Sequence, residues 1–107
     1  METLNKVELR GFVGSCNITS VGGTKTAQFS VATDYAYRDN SGCAIIETTW
    51  FSCRAFEGKD ISNLDQLTRS AIVHLTGRLR CHRYQDTQGI DRAMYEVMVQ
   101  HLEIMED

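Results

Sequence analysis

The stretch from residue 48 to residue 56 carries aromatic rings and a cation at a spacing suited to binding a nucleic-acid strand. If it is a β-strand, its side chains alternate between two faces, and Trp50, Arg54 and Phe56 share one of them. This face is a poor core face, because a buried guanidinium needs a partner. Rings that stack on bases and a cation that neutralises phosphate are instead the combination used by single-stranded nucleic-acid binders. The alternative is that both rings pack beneath another element while Arg54 extends to water.

A second stripe of cations and rings lies between residues 72 and 85, again at alternating positions. One face of this predicted strand carries Arg78, Arg80, His82 and Tyr84. Taken alone, the stripe could be the solvated face of a curved strand. Two such faces in one small chain favour a nucleic-acid surface. We therefore expect one continuous groove lined by Trp50, Arg54, Phe56, Arg80 and Tyr84.

The opposite faces of these two strands are predicted to point into the core and carry Phe51, Cys53, Leu79 and Cys81. This assignment depends on unbroken alternation. A β-bulge at Gly77 would shift the register and exchange the two faces of every later residue in that strand.

Composition restricts the class of protein. The 107 residues suffice for one domain, 1–107, with a single core. The net charge of −3 argues against a generally basic nucleic-acid binder, although a local basic face can still bind phosphate. No apolar run approaches the ~20 residues that span a bilayer, and the N-terminus lacks a signal-peptide layout. We therefore expect a cytoplasmic protein without membrane contact.

Residues that usually perform catalysis or hold metals are scattered. The four cysteines form no Cys-x-x-Cys pair, and the three histidines lie far apart in the sequence. Zinc-ligand spacings, nucleophile signatures, glycine-rich phosphate loops and clustered carboxylates are all missing from the sequence. The sequence therefore predicts a protein that is not an enzyme and that uses no metal and no cofactor.

Alternation and turn residues divide the chain into five strands and one short helix. The predicted strands span residues 4–15, 27–37, 43–56, 72–85 and 92–105. Between the third and fourth strands, Ile61, Leu64 and Leu67 recur at helical spacing, with Asp60 or Ser62 as the cap. This order is that of the OB-fold, an all-β five-stranded Greek-key barrel whose strand 2–3 face and connecting loops bind oligonucleotides.

Short segments in a specific order and spacing connect the chain to one family. They are NKVELRG at residues 5–11, FSVAT at 29–33, TW at 49–50 with Phe56, GRLR at 77–80, YQD at 84–86, DR at 91–92 and YEV at 95–97. Through these segments nearly the whole chain resembles the bacterial single-stranded DNA-binding proteins. The resemblance implies that the protein binds single-stranded DNA without sequence specificity and protects that DNA in replication, recombination or repair. It also implies a location in the cytoplasm, associated with the nucleoid.

The resemblance also implies which residues contact DNA. The family stacks bases on aromatic rings at four places, which correspond here to Tyr37, Trp50, Phe56 and Tyr84. Its phosphate-contacting cations correspond to Lys6, Arg38, Arg80, Arg83 and Arg92. Strand alternation adds Arg54 and Arg78 to the predicted DNA-binding residues.

The sequence departs from the family pattern in features that bear on assembly. Phe51 stands where the family often has a histidine at a subunit interface, and the loop of residues 15–23 is shorter than usual. The sequence stops at residue 107 without the family's glycine- and proline-rich tail and its acidic tip. The sequence is therefore either a truncated DNA-binding core or a naturally short form, as on mobile elements, and we expect no tail-mediated protein partners for it.

The sequence leaves alternatives open for the oligomeric state and for the function. The resemblance favours a homo-oligomer, and a tetramer over a dimer. The last strand also carries more apolar groups than one small core can use, with Tyr95 and Val97 on one face and Met94 and Met98 on the other. The alternative function is a primosome-type OB-fold accessory protein that acts as a dimer. A third interpretation is that the aromatic face is buried against a protein partner.

Overall fold

Five strands close into a barrel with the order β1–β2–β3–β5–β4 in the computed structural model, which describes residues 2–105. The strands are β1 (Val7–Val21), β2 (Thr24–Arg38), β3 (Ala44–Phe56), β4 (Ile72–Gln85) and β5 (Asp91–Met105). Neighbouring strands pair antiparallel, except β3 and β5, which run parallel over two residue pairs. The predicted OB-fold is confirmed. Residues 1, 106 and 107 of the predicted domain lie outside the described residues.

The first strand extends beyond its predicted end at residue 15, because a β-bulge interrupts the alternation from which that end was predicted. Its register with β2 shifts between Val13 and Cys16. After the shift, Cys16 and Ile18 lie opposite buried residues of β2 and pack against the core, as Val13 does before it. The alternation therefore resumes in the opposite phase, and the strand continues to Val21.

The predicted helix is a single 3-10 turn, Leu64–Gln66. Its cap is Asn63, whose side chain accepts a 3.0 Å hydrogen bond from the amide two residues ahead. The prediction of Asp60 or Ser62 as the cap is therefore wrong. One turn is sufficient here to bury both apolar residues. Leu64 begins the turn, and Leu67 follows it as the C-cap and donates its amide to the Leu64 carbonyl at 3.0 Å.

The barrel core is formed by apolar side chains that the strands and the 3-10 turn direct inward, among them Val13, Phe29, Val31, Cys53, Leu64, Val73, Leu75, Val97 and Leu102. The predicted burial of Cys53 is confirmed, and Phe51 is half-buried against the same cluster. Burial, with a smaller contribution from the charge of Glu96, raises the pKa of the Cys53 thiol to about 12. This cysteine is therefore a protonated, small apolar core residue.

Strand β4 leaves the barrel at Gly77, where its pairing with β1 ends. The prediction that Leu79 and Cys81 are core residues is wrong, because beyond Gly77 only β5 pairs with β4 and both side chains are exposed. The side chain of Asn5, just before β1 begins, pairs with the backbone of β4 where β1 would otherwise do so. It accepts a 2.9 Å hydrogen bond from the Leu79 amide and donates a 2.6 Å bond to the Leu79 carbonyl.

A register shift does occur at Gly77, but it leaves the two faces of β4 unchanged. The residue without a partner is Gln100 of β5, which falls between the partners of Thr76 and Gly77. The extra residue therefore changes the phase of β5, and β4 keeps its alternation through the shift. Arg80 stays on the outer side, opposite Glu96.

Leucine truncation should distinguish the barrel core from the hairpin that extends beyond it. Leu75→Ala removes a side chain that is 1 % exposed and should cost ~2–5 kcal/mol of unfolding free energy through a core cavity. Leu79→Ala should cost about 1 kcal/mol or less, since that side chain is already 39 % exposed. Urea unfolding followed by circular dichroism measures both. Equal losses would place Leu79 in the core after all.

Candidate nucleic-acid interface

Cross-strand register places the two predicted stripes on one outer face of the barrel, with β5 between them. Arg54 of β3 lies opposite Met98 of β5, and Met98 lies opposite Arg78 of β4. Two residues away, Glu96 of β5 lies opposite Arg80. We call this surface the aromatic–cation face and define it as Trp50, Arg54, Phe56, Arg78, Arg80, Tyr84, Glu96 and Met98.

The ring of Trp50 is held on this face by β1 and leaves half of its surface free. It packs edge-on against Phe12, with 6.2 Å between ring centroids and 85° between planes. It also covers Gly14, where a Cβ atom would clash with the ring. The side chain is 55 % exposed, so it offers a fixed flat surface to a base. Phe12 was missed by the sequence analysis, although a phenylalanine beside Arg10 on the polar face of β1 was a visible signal.

The other predicted stacking residues of this face are half-exposed as well. Phe56 lies at the end of β3, and Tyr84 lies near the end of β4. Within residues 2–105 neighbouring side chains touch these rings and that of Trp50, but no element buries them. The alternative that the β3 rings pack beneath another element is therefore wrong for the described part of the chain.

The fourth predicted stacking residue, Tyr37, lies apart from this face. Pairing of β2 with β3 is unbroken from Ala32, opposite Trp50, to Tyr37, opposite Ile45. Five positions separate Ala32 from Tyr37, and an odd number puts the two side chains on opposite faces of the ribbon. Tyr37 is instead close to the exposed Tyr35, with 6.0 Å between ring centroids.

Two of the predicted phosphate-binding cations share one buried carboxylate, which the sequence analysis missed. Arg80 donates Nε and Nη2 to Oε1 of Glu96, at 2.9 and 2.7 Å. Nε of Arg54 lies 3.5 Å from Oε2 of Glu96 and is buried without a hydrogen bond to any described residue. We call these three residues the arginine–glutamate triad. The sequence signal was a lone acid between Met94 and Met98 on one face of β5.

Glu96 is 2 % exposed, yet it remains a carboxylate. Burial by itself would raise its pKa, because a low-dielectric environment disfavours the charged form. The hydrogen bonds from Arg80 and the charges of Arg54 and Arg80 together outweigh burial, so the pKa of Glu96 is lowered. The triad therefore holds two positive charges and one negative charge.

Of the remaining predicted cations, Arg78 lies on the aromatic–cation face and the others are not among its defining residues. Arg78 is exposed on the face and makes no ion pair with another described residue. Arg83 is exposed on the other side of β4, and Lys6 is exposed just before β1. Nη1 of Arg38 donates to the carbonyl of Gly42 at 3.0 Å, within the β2–β3 turn.

Arg92 lies directly opposite Tyr84 on the β4–β5 hairpin. Its Nε donates to Oδ2 of Asp86 at 2.9 Å. The hydrogen bond from Arg92, followed by one from the Ile90 amide, lowers the pKa of the Asp86 carboxyl. Part of the positive charge of Arg92 is thus neutralised at the tip of the hairpin.

The described part of the chain has neither a metal-binding cluster nor a membrane-spanning helix. Among residues 2–105, no three His, Cys, Asp or Glu side chains are grouped so as to hold a metal ion. The same residues contain no helix with the length and apolarity needed to cross a membrane. What this surface offers chemically is stacking and charge neutralisation.

A closed five-stranded barrel with exposed rings on its third strand and long hairpins at its rim belongs to the oligonucleotide-binding class of β-barrels. The sequence identifies the group within that class. The chain belongs to the Single-strand binding protein family, whose sequence model matches residues 4–105.

Two curated relatives come from Neisseria meningitidis, one of serogroup A and one of serogroup B, and both are named single-stranded DNA-binding protein. Each is 27 % identical over 105 residues, which is 96 % of this chain. The chain spans 60 % of the length of these relatives.

Solved structures share the fold. The SSB of Plasmodium falciparum in complex with ssDNA has a TM-score of 0.84 at 24 % identity, covering 99 % of this chain and 98 % of that one. A deletion mutant of the single-stranded DNA binding protein from Thermus aquaticus has a TM-score of 0.78 at 19 % identity, covering 96 % and 51 %.

Glu96 should stabilise the fold in a pH-dependent way. Its pKa is lower in the folded protein than the value of about 4.3 in an unfolded chain. Its contribution is therefore fully present above that unfolded value and is lost as the pH falls through the folded-state pKa. The stability difference between wild type and Glu96→Gln should be constant from pH 7 to about 5 and shrink below about pH 4.

Urea unfolding at a series of pH values measures this difference. Glu103→Gln, which removes an exposed acid of the same strand, is the control for the loss of one negative charge. A difference that grows toward acid would mean that the Glu96 carboxyl is protonated in the folded protein.

Proposed function

We propose that this protein binds single-stranded DNA with little sequence preference, by stacking bases on exposed rings and neutralising phosphates. The observation that carries the proposal is the aromatic–cation face, where half-exposed rings of β3 and β4 lie on the same side of an OB barrel as three arginines. Every base has a flat π-face, so stacking accepts any sequence. The names of the Neisseria relatives and the ssDNA bound by the Plasmodium neighbour support the same function.

The proposed contacts divide into two kinds. Trp50, Phe56 and Tyr84 stack bases along the aromatic–cation face, and Tyr37 stacks a base on the neighbouring β2–β3 ribbon. Phosphates are neutralised by Arg78, by the arginine–glutamate triad, and around the rim by Lys6, Arg38, Arg83 and Arg92. Because the net charge is −3, this local grouping of cations supplies the attraction.

In the cell, the proposed role is to coat and protect single strands during replication, recombination or repair, in the cytoplasm and associated with the nucleoid. The role is binding rather than catalysis, because nothing in stacking and phosphate neutralisation requires a reacting group or a cofactor. The single-stranded DNA is released chemically unchanged.

We further propose that the protein acts as a homo-oligomer, a tetramer rather than a dimer. Tyr95 of β5 is 66 % exposed, and Ile46, Val21 and Leu4 are also exposed. These side chains are available to a subunit contact, and the family resemblance favours the tetramer. Light scattering at micromolar concentration should give four times the mass of one chain. A monomer would contradict the proposal, and a dimer would favour the accessory-protein alternative.

The tryptophan provides a direct test of binding. Trp50 is the sole tryptophan of the sequence, so its fluorescence should be quenched when oligo-dT stacks on it. Trp50→Ala has no tryptophan, so its affinity is measured by the fluorescence anisotropy of labelled oligo-dT. The substitution should cost ~1–3 kcal/mol of affinity and leave the circular dichroism spectrum unchanged. Trp50→Phe, which keeps a flat ring at the same position, is the matched control and should lose less affinity. Unchanged affinity of a folded Trp50→Ala variant would exclude Trp50 from the DNA surface.

A further inference from the structure

A buried acid lies beneath two cations of a surface that is proposed to bind an anion. Glu96 is 2 % exposed although it is on the outer side of β5. It is covered by the side chains of Arg54 and Arg80, which are 30 % and 36 % exposed. This arrangement is unexpected, because a carboxylate here opposes the attraction of phosphate.

Both arginines face the carboxylate with one edge only. Arg80 uses Nε and Nη2, and Arg54 uses Nε. Nη1 of Arg80 and both terminal nitrogens of Arg54 make no hydrogen bond to another described residue. These N–H groups can donate to one phosphate placed over the triad, since guanidinium groups bind phosphate through such pairs of donors.

The charges of the triad determine how strongly a phosphate is held. Two guanidinium groups and one carboxylate sum to a single positive charge. A phosphate that contacts either arginine is only a few ångströms farther from Glu96, well within the Debye length of about 8 Å at physiological salt. The carboxylate is buried, so water screens its repulsion of the phosphate less than it would at an exposed site.

We propose that Glu96 attenuates the binding of single-stranded DNA. By holding Arg54 and Arg80 together and cancelling one of their charges, it makes the pair neutralise one phosphate instead of two. This inference depends on the DNA binding proposed above. Phosphate is therefore bound more weakly and more reversibly at the centre of the aromatic–cation face, while the stacking of bases on Trp50 and Phe56 is unaffected.

The first test is Glu96→Gln, titrated with oligo-dT by tryptophan fluorescence over a series of salt concentrations. The variant should bind more tightly than wild type, and its slope of log affinity against log salt should be steeper by about 0.7, the value for one more phosphate on a single strand. The gain in affinity at 0.1 M salt should exceed the gain at 1 M by about fivefold. Glu103→Gln, which removes the same charge at an exposed position of β5, should bind like wild type.

A second variant covers the case in which Glu96→Gln does not fold. Replacing the whole triad by apolar groups, Arg54→Leu, Glu96→Met and Arg80→Leu, leaves no buried charge, and such replacements are often tolerated. Its salt slope should be shallower than that of wild type by about 0.7, one phosphate, rather than by about 1.4, two phosphates.

The outcomes are distinct. A folded Glu96→Gln variant with unchanged or weaker affinity, or a triple variant that loses two phosphates of salt slope, would overturn the inference while DNA binding stands. Wild-type protein that does not bind oligo-dT would overturn the proposed function itself, and the inference with it.

Discussion

The parallel pairing of β3 with β5 is the contact on which the proposed binding face depends. It consists of Cys53 with Val97 and Arg54 with Met98, and it joins the β1–β2–β3 sheet to the β4–β5 hairpin. Because alternate residues of a strand face opposite ways, the contact sets both sides at once. Cys53 and Val97 enter the core, and Arg54 is brought beside Glu96 on the outside. Without this closure, β3 and the β4–β5 hairpin would be connected only through β1 and β2, and the rings of β3 would not lie beside the cations of β4.

The strands are longer than the barrel, and this surplus decides which side chains are exposed. Pairing of β4 with β1 ends at Gly77, and that of β2 with β1 ends at Ala32. Beyond these points β2 pairs with β3 and β4 pairs with β5, and towards its tip each pair is a two-stranded ribbon, which has no interior of its own. Tyr84 and Tyr37 lie on these ribbons and are exposed for that reason. The closed barrel fixes the positions of Trp50 and Phe56, and the ribbons extend the surface that is available to single-stranded DNA.

The electrostatics of the face depend on what lies under the arginines as much as on their number. The protein carries a net charge of −3, so attraction for phosphate must be local. Burying the Glu96 carboxylate costs desolvation, which the ion pairs with Arg54 and Arg80 offset. Those same ion pairs reduce the charge that the two arginines present outward. A count of exposed arginines therefore overstates the positive charge at the centre of this face.

Alternation and turn chemistry in the sequence alone determined the five strands, their order as an OB-fold and the shared side of Trp50, Arg54 and Phe56, because each depends on neighbours close in the chain. Tertiary structure decided the rest. Alternation tells which side of its strand Leu79 or Glu96 occupies, but not whether anything covers that side. That depends on where β1 ends and on which strand β3 meets, and both are contacts between residues far apart in sequence. Leu79 thus became exposed and Glu96 buried, the reverse of what their residue types indicate.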